Sequence, residues 1–279
     1  MIKIVYEGTE QIVTPTIFPD GTSQIWKLDL EKYKDPGVKI VWNFEQEAEL
    51  IWVNQLVDLL SAENINITEL YIPYLPYARQ DKETGNLTTF AKSTFMQLLP
   101  LFMRNITTLD THSNESNHAK IKSYSPLQYV NRAIKESNAE VLVFPDKGAY
   151  ERYGEQYKNL KDIIVLDKVR DQLTGEILGI GFNTALCSNN VMNDLTKVTH
   201  QMLIVDDISD YSGTFKKAAK FLHEKFTCEI SLYVTHFLGH GGIDHINEAG
   251  IAYVYTSDSL TQYRDNKLNY VYGDKLIIV

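Results

Sequence analysis

Met202-Leu203-Ile204-Val205-Asp206-Asp207-Ile208-Ser209-Asp210-Tyr211-Ser212-Gly213-Thr214-Phe215 is the stretch whose reading decides the fold. It starts as an apolar strand and passes through a loop of Asp and Ser. It ends as a helix, because Phe215, Ala218, Ala219, Leu222 and Phe226 recur at helical spacing. Ser212-Gly213-Thr214 places small residues where the first N–H groups of that helix have no partners within it. Those groups and the helix dipole attract phosphate, and carboxylates at the preceding strand end suit sugar hydroxyls. The stretch therefore describes a pocket for a phosphorylated sugar. Asp-x-x-Gly-Thr alone fits an ordinary capped helix start equally well; the ordered string Asp-Asp-x-x-Asp-x-x-Gly-Thr behind a hydrophobic strand is more specific.

Outward from this stretch, apolar strands alternate with helices, which implies parallel βαβ units. Residues 2–6, 11–18, 23–28 and 38–44 read as short opening strands. The first helix is expected from about Gln46 to Leu60, with Trp52, Val53, Leu56, Leu59 and Leu60 on its apolar face, and a second from about Thr88 to Leu101. Strands are expected near 70–72, 105–110, 140–144, 163–166, 230–235 and 252–255, and helices near 126–137 and 243–249. Asp110, Asp146, Lys168 and Asp206 each follow an apolar strand, where α/β sheets hold ligands. The polar stretch around Ser123-Tyr124-Ser125-Pro126 divides the chain into two comparable units, 1–125 and 126–279.

The 279 residues suffice for two domains, and 44% hydrophobic with 23% charged residues is a globular composition. A net charge of −9 without a dense Lys and Arg cluster argues against nucleic acid as a partner. An anionic substrate must then be drawn by a local site. Cys187 and Cys228 have neither disulfide-framework nor metal-site spacing. The start, Met1-Ile2-Lys3-Ile4-Val5-Tyr6, alternates like a strand and lacks a signal-peptide pattern, and no apolar run approaches the ~20 residues of a membrane helix. A cytoplasmic location away from membranes is expected.

The most specific motif is Ile72-Pro73-Tyr74-Leu75-Pro76-Tyr77-Ala78-Arg79-Gln80-Asp81-Lys82. An Arg beside an Asp on a loop is usually a solvated pair worth little, but Pro73 and Pro76 stiffen this one. The string closely resembles the ATP-binding signature of the ribose-phosphate pyrophosphokinases (PRPP synthetases). The 206–214 string likewise resembles the ribose-phosphate loop found in that family and in phosphoribosyltransferases. Simple phosphoribosyltransferases lack the Arg-Gln-Asp motif, so it separates the two.

The resemblance covers most of the chain and implies an α/β fold of two phosphoribosyltransferase-type units with parallel-sheet βαβ cores. The first would carry the ATP loop and the second the ribose-phosphate loop. It implies an Mg²⁺-dependent transfer of the β,γ-diphosphoryl group of ATP to the anomeric hydroxyl of ribose 5-phosphate. Phe18, Asp20, Arg79, Gln80, Asp81 and His112 would bind ATP, and His112 and Asp146 would hold the metal. Lys168 and Arg170, matching the family's Lys-x-Arg, would be catalytic. Asp206, Asp207, Asp210, Tyr211, Ser212, Gly213 and Thr214 would bind the ribose phosphate. Because the family's ATP site lies across a subunit boundary, a homo-oligomer is expected. Gly239-His240-Gly241-Gly242 reads as structural, and the histidines at 236, 240 and 245 fit no standard ligand set.

Three departures stand out. Thr22 replaces a Glu that helps hold adenine, and Lys32-Tyr33-Lys34-Asp35-Pro36-Gly37 stands where an Arg-Gly-Asp-like stretch is usual. Tyr211 takes the place of a small hydroxyl residue in the phosphate loop. A bulky ring there opens an alternative acceptor, ADP-ribose, whose adenosine could stack on it and whose product would be the 1-pyrophosphate. A further alternative is a non-catalytic regulatory relative; His112, Asp146, Lys168 and Arg170 all being present argues against it.

Overall fold

The computed structural model describes residues 1–80, 89–100, 103, 105–112, 121–170, 177–190, 200–240, 243–260 and 269–270. Among them the chain forms two compact units that meet in sequence between Ser125 and Pro126.

The first unit opens with β1 (Ile2–Tyr6) and β2 (Thr9–Val13), a hairpin, then the short pair β3 (Thr16–Ile17) and β4 (Ser23–Gln24). β5 (Val38–Trp42), α1 (Glu49–Ala62), β6 (Ile67–Ile72), α2 (Ala91–Leu98), β7 (Ile106–Leu109) and β8 (Ile121–Tyr124) follow. The sheet runs β2-β1-β5-β6-β7-β8, with β5 to β8 parallel and β1 antiparallel to both its neighbours. Strand alternation puts Ile2, Ile4, Ile40, Leu70, Ile72 and Ile106 on one face. Val53, Leu56, Val57 and Leu60 of α1 and Phe95 of α2 join them in the core.

The second unit contains α3 (Leu127–Glu136), β9 (Val141–Phe144), α4 (Lys147–Tyr153), β10 (Asp162–Arg170), β11 (Ile177–Phe182) and β12 (His200–Ser209). After these come α5 (Gly213–Lys225), β13 (Cys228–Phe237), α6 (Asp244–Asn247), β14 (Ile251–Thr256) and β15 (Asn269–Tyr270). The order is β11-β10-β9-β12-β13-β14-β15, parallel except for the antiparallel β10 and β11. β9 is flanked by β10 on one side and β12 on the other, so the chain reverses its direction of travel across the sheet there. Phe215, Ala218, Ala219 and Leu222 of α5 pack on Ile204, Leu232 and Val234.

Several elements depart from the sequence expectation. The strand expected over 11–18 stops at Val13, before Pro15, and the one over 23–28 shrinks to two residues. The first helix begins at Glu49 because 46–48 form a turn, and the second ends at Leu98, ahead of Pro100. Lys168 and Asp206 do not follow their strands but lie inside them. β10 runs on to Arg170 because β11 pairs with its outer half, Lys168 opposite Ile180. β12 runs on to Ser209 because β13 is equally long, Asp206 opposite Val234 and Ser209 opposite Phe237.

Candidate functional site

In open α/β sheets, ligands bind at the carboxyl ends of the strands where strand order reverses. In the second unit that place lies between β9 and β12, and its loops carry Asp146 and the 206–214 stretch.

Pro145 ends β9, and Asp146 starts α4 as its N-cap: its backbone is extended and its Oδ1 accepts from the Ala149 N–H at 3.0 Å. Near the end of α4, Arg152 reaches β12, its Nη1 lying 2.7 Å from Oδ2 of Asp207. Asp207 is buried, 2% exposed, and so forms part of the framework that fixes α4 to β12. Its backbone N–H donates to Oδ1 of Asp206 at 2.9 Å. Asp206 is partly buried. Desolvation first, then the negative charge of Asp207 and more weakly of Asp146, holds its carboxyl well above the usual carboxylate range. The three carboxylates thus share one region of strongly negative field. Among the described residues, no three His, Cys, Asp or Glu side chains form a ready metal cage.

The turn from β12 into α5 is made by Ser212, which takes a left-handed conformation (φ 59°, ψ 13°). Such a conformation costs a non-glycine residue of order 1 kcal/mol and is held only where the surroundings over-determine it. Here the Ser212 hydroxyl is bonded to the buried Ser209 hydroxyl at 2.7 Å. It consequently does not cap the helix. Among the described residues no side chain caps the first turn of α5, and Gly213 at its start is exposed. The first N–H groups of a 13-residue helix are left directed at the loop, as an oxyanion requires.

Tyr211 is 70% exposed beside this turn and stacks on His240, ring centroids 5.4 Å apart and planes at 23°. His240 Nδ1 is 2.6 Å from Oδ1 of Asp210. His240, from the turn after β13, thereby ties down the loop between β12 and α5, a structural role in keeping with the reading of its stretch as structural. The other late histidines are elsewhere: His236 is buried, and His245 faces Glu248 at 3.3 Å.

Lys168 and Arg170 lie on the outer half of β10, where the register with β11 shifts between Val169 and Arg170. They stand on an antiparallel arm that begins at Leu166, where the parallel pairing with β9 has ended at Val165.

In the first unit, Arg79 and Gln80 are exposed at the end of an otherwise largely buried turn after β6. Its shape is set by Tyr77, left-handed at φ 61°, whose hydroxyl donates to Glu47 and whose ring packs on Phe95. The bond to Glu47, then desolvation, pushes the phenol up to about 12. Asp81 lies outside the described residues. His112 is exposed just past β7, behind the buried, left-handed Asp110. Phe18 and Asp20 occupy the β3–β4 turn. Oδ1 of Asp20 accepts from the N–H of Thr22 at 3.0 Å and from its hydroxyl at 2.7 Å, which lowers the Asp20 pKa. Thr22 therefore braces the turn from within, whereas a Glu would project from it.

Sequence reading did not single out Arg152. The sequence reading places no helix over 147–153, and without one nothing connects Arg152 with β12.

A parallel sheet with a strand-order reversal, two adjacent aspartates on the strand beside it and an uncapped helix after them define an α/β fold of the phosphoribosyltransferase type. A ribose-phosphate pyrophosphokinase from Pyrococcus abyssi is 29% identical over 242 residues, 83% of this chain and 79% of that one. Another from Sulfolobus acidocaldarius is 26% identical over 258 residues, 88% of this chain and 84% of that one. No family model matches the chain. The crystal structure of phosphoribosylpyrophosphate synthetase from Mycobacterium smegmatis shares the fold, with a TM-score of 0.70 over 93% of this chain and 85% of that one at 18% identity. By sequence and by fold, the chain is a relative of the ribose-phosphate pyrophosphokinases. No described helix is long and apolar enough to cross a membrane.

Proposed function

We propose that the chain is an Mg²⁺-dependent diphosphokinase that moves the β,γ-diphosphoryl group of ATP onto the anomeric hydroxyl of ribose 5-phosphate. The products are 5-phosphoribosyl 1-pyrophosphate and AMP. The observation that carries this reading is the uncapped first turn of α5 directly behind Asp206. The names of the sequence relatives support it.

In this reading the 5′-phosphate sits against the N–H groups of Gly213 and Thr214, and the ribose hydroxyls donate to Asp206. The anomeric oxygen attacks the β-phosphorus, the bond between the β-phosphorus and the α,β-bridging oxygen breaks, and AMP leaves with that oxygen. The hydroxyl proton passes to solvent. Lys168 and Arg170 neutralise charge growing on the transferred group, Arg170 as a planar fork and Lys168 as a mobile point charge. Phe18, Asp20, Arg79, Gln80 and Asp81 hold the nucleotide, with His112 on its phosphates.

Mg²⁺ prefers one or two protein carboxylates and takes its remaining ligands from phosphate oxygens and water. That fits a site whose aspartates repel one another without forming a closed cage. Asp146 would hold the ion, which when bound offsets the charge of the triphosphate; His112 is the further metal ligand that the family resemblance implies.

A second reading replaces ribose 5-phosphate by ADP-ribose. Its support is the exposed Tyr211 ring, braced by His240 on one face and with adenosine stacking open to it on the other. AMP release from ATP and Mg²⁺ with each acceptor, products identified by mass, separates the two. Turnover with ADP-ribose alone overturns the first reading, and no AMP with either acceptor favours the regulatory relative. Lys168→Ala is expected to lower turnover about 10²- to 10³-fold with ATP binding retained. Near-normal turnover in that variant would sink the catalytic assignment.

A further inference from the structure

The two adjacent aspartates of β12 stand in different surroundings. Asp206 is partly exposed, whereas Asp207 is buried and faces α4, its Oδ2 2.7 Å from Nη1 of Arg152. Successive side chains of a strand turn to opposite faces, which is why only one of the two meets α4. A carboxylate buried against a guanidinium has its charge offset and an oxygen occupied, so Asp207 is poorly placed to accept from a sugar hydroxyl. The family resemblance implies ribose binding by both aspartates; the surroundings of Asp207 suit another task.

That task follows from what α4 needs. The helix is seven residues long, too short to hold its shape alone, so its position is set by what it packs against. Toward β9 the contact is Tyr150, whose ring meets Phe144 edge-on with centroids 5.7 Å apart. A Cβ at Gly154 would fall 2.2 Å from the Tyr150 ring, so the glycine makes room for that contact. Toward β12 the tie is the ion pair of Arg152 with Asp207.

The pair consequently links two loops of the site. At one end α4 starts at Asp146, whose Oδ1 is fixed by the Ala149 N–H at 3.0 Å. At the other end the Asp207 N–H donates to Oδ1 of Asp206 at 2.9 Å. A shift of Asp207 moves that donor, and the Asp206 carboxylate moves with it.

We infer that Arg152 and Asp207 are positioning residues: their ion pair sets the Asp206 carboxylate for the ribose hydroxyls at a fixed place relative to Asp146, and Asp207 itself does not touch the sugar. This rests on the reading of Asp206 as the carboxylate that binds ribose.

Calorimetric titration of the full chain with ribose 5-phosphate and with ADP-ribose measures acceptor affinity without turnover. Arg152→Gln and Asp207→Asn are each expected to weaken the acceptor that binds by roughly tenfold, the size usual for groups that orient a ligand-holding residue. Because both act through one interaction, the Arg152→Gln/Asp207→Asn variant should bind no more weakly than either single variant. Arg152→Lys should recover part of the affinity. Direct contact of Asp207 with the sugar predicts the opposite: Arg152→Gln would bind as well as the unaltered chain or better, and the two losses would multiply in the double variant. Either result would overturn the inference. Stability is separated in the same titration, since unfolded chain lowers the number of sites and leaves their affinity unchanged. The double variant, free of an unpaired buried charge, should regain stability but not affinity; affinity restored along with stability would make the pair merely structural. Binding of neither acceptor by the unaltered chain refutes the transferase reading and this inference together, whereas normal binding with independent losses refutes this inference alone.

Discussion

Arg152 and Asp206 show how single charges shape this site. Arg152 is the cation facing the buried Asp207, and removing one partner of a buried pair leaves the other uncompensated. Arg152→Ala is expected to destabilise the chain by about 3 kcal/mol, and adding Asp207→Asn should restore much of that. Urea denaturation of the two variants checks this; equal stability of both would mean that the pair contributes nothing. Asp206 works in the opposite direction. Its folded pKa lies above the ordinary 3.8, so between the two values the native state holds more protons than the unfolded chain. Stability therefore falls as pH rises through that window, and the deficit is complete above the folded pKa. Without divalent ions, Asp206→Asn should melt higher than the unaltered chain at pH 8, on the order of a few degrees, and the gap should close toward pH 4. Thermal melts across pH decide it, and a variant melting lower throughout refutes it. The same substitution should impair turnover, the mark of a residue kept for chemistry at a cost in stability.

At the scale of elements, the parts with strong periodicity were legible in the sequence and the short ones were not. α1, α3 and α5 were readable because Val53, Leu56 and Leu60, or Phe215, Ala218 and Leu222, recur every three or four residues. The order strand, loop, helix over 202–226 was read as it stands, but the strand runs on to Ser209 and takes in Asp206 to Ser209, which were read as loop. α4 was missed because its seven residues include Gly148 and three turns of apolar spacing never accumulate. β8 has only Ile121 buried, and β11 includes two glycines, so neither shows a burial pattern. The candidate site was legible for the same reason as its loops: Asp, Ser, Gly and Thr at fixed offsets carry chemistry that does not depend on partners far away. What contacts those residues across the sheet, such as Arg152 with Asp207 or His240 with Asp210, depends on tertiary register.

Across the whole molecule, two separate cores stand where a single larger one would otherwise be expected. Leu56 belongs to the first and Leu222 to the second, and both are fully buried. Truncating either to Ala is expected to cost about 2–5 kcal/mol. Calorimetry should show each variant lowering mainly the transition of its own unit, on a profile broader than a single two-state step. Identical shifts of one sharp transition would mean that the units melt together. The placement of β9 between β10 and β12 has a kinetic consequence as well. Val141 must find Met202, and Val143 must find Ile204, across all the intervening chain before the central ladder gains a single bond. Closing so long a loop spends chain entropy ahead of any reward, so the second unit should refold slowly for its size. While β9 and β12 search for each other, their apolar edges stand open, and dilution during refolding is the condition that lets the sheet close on itself before it meets another chain.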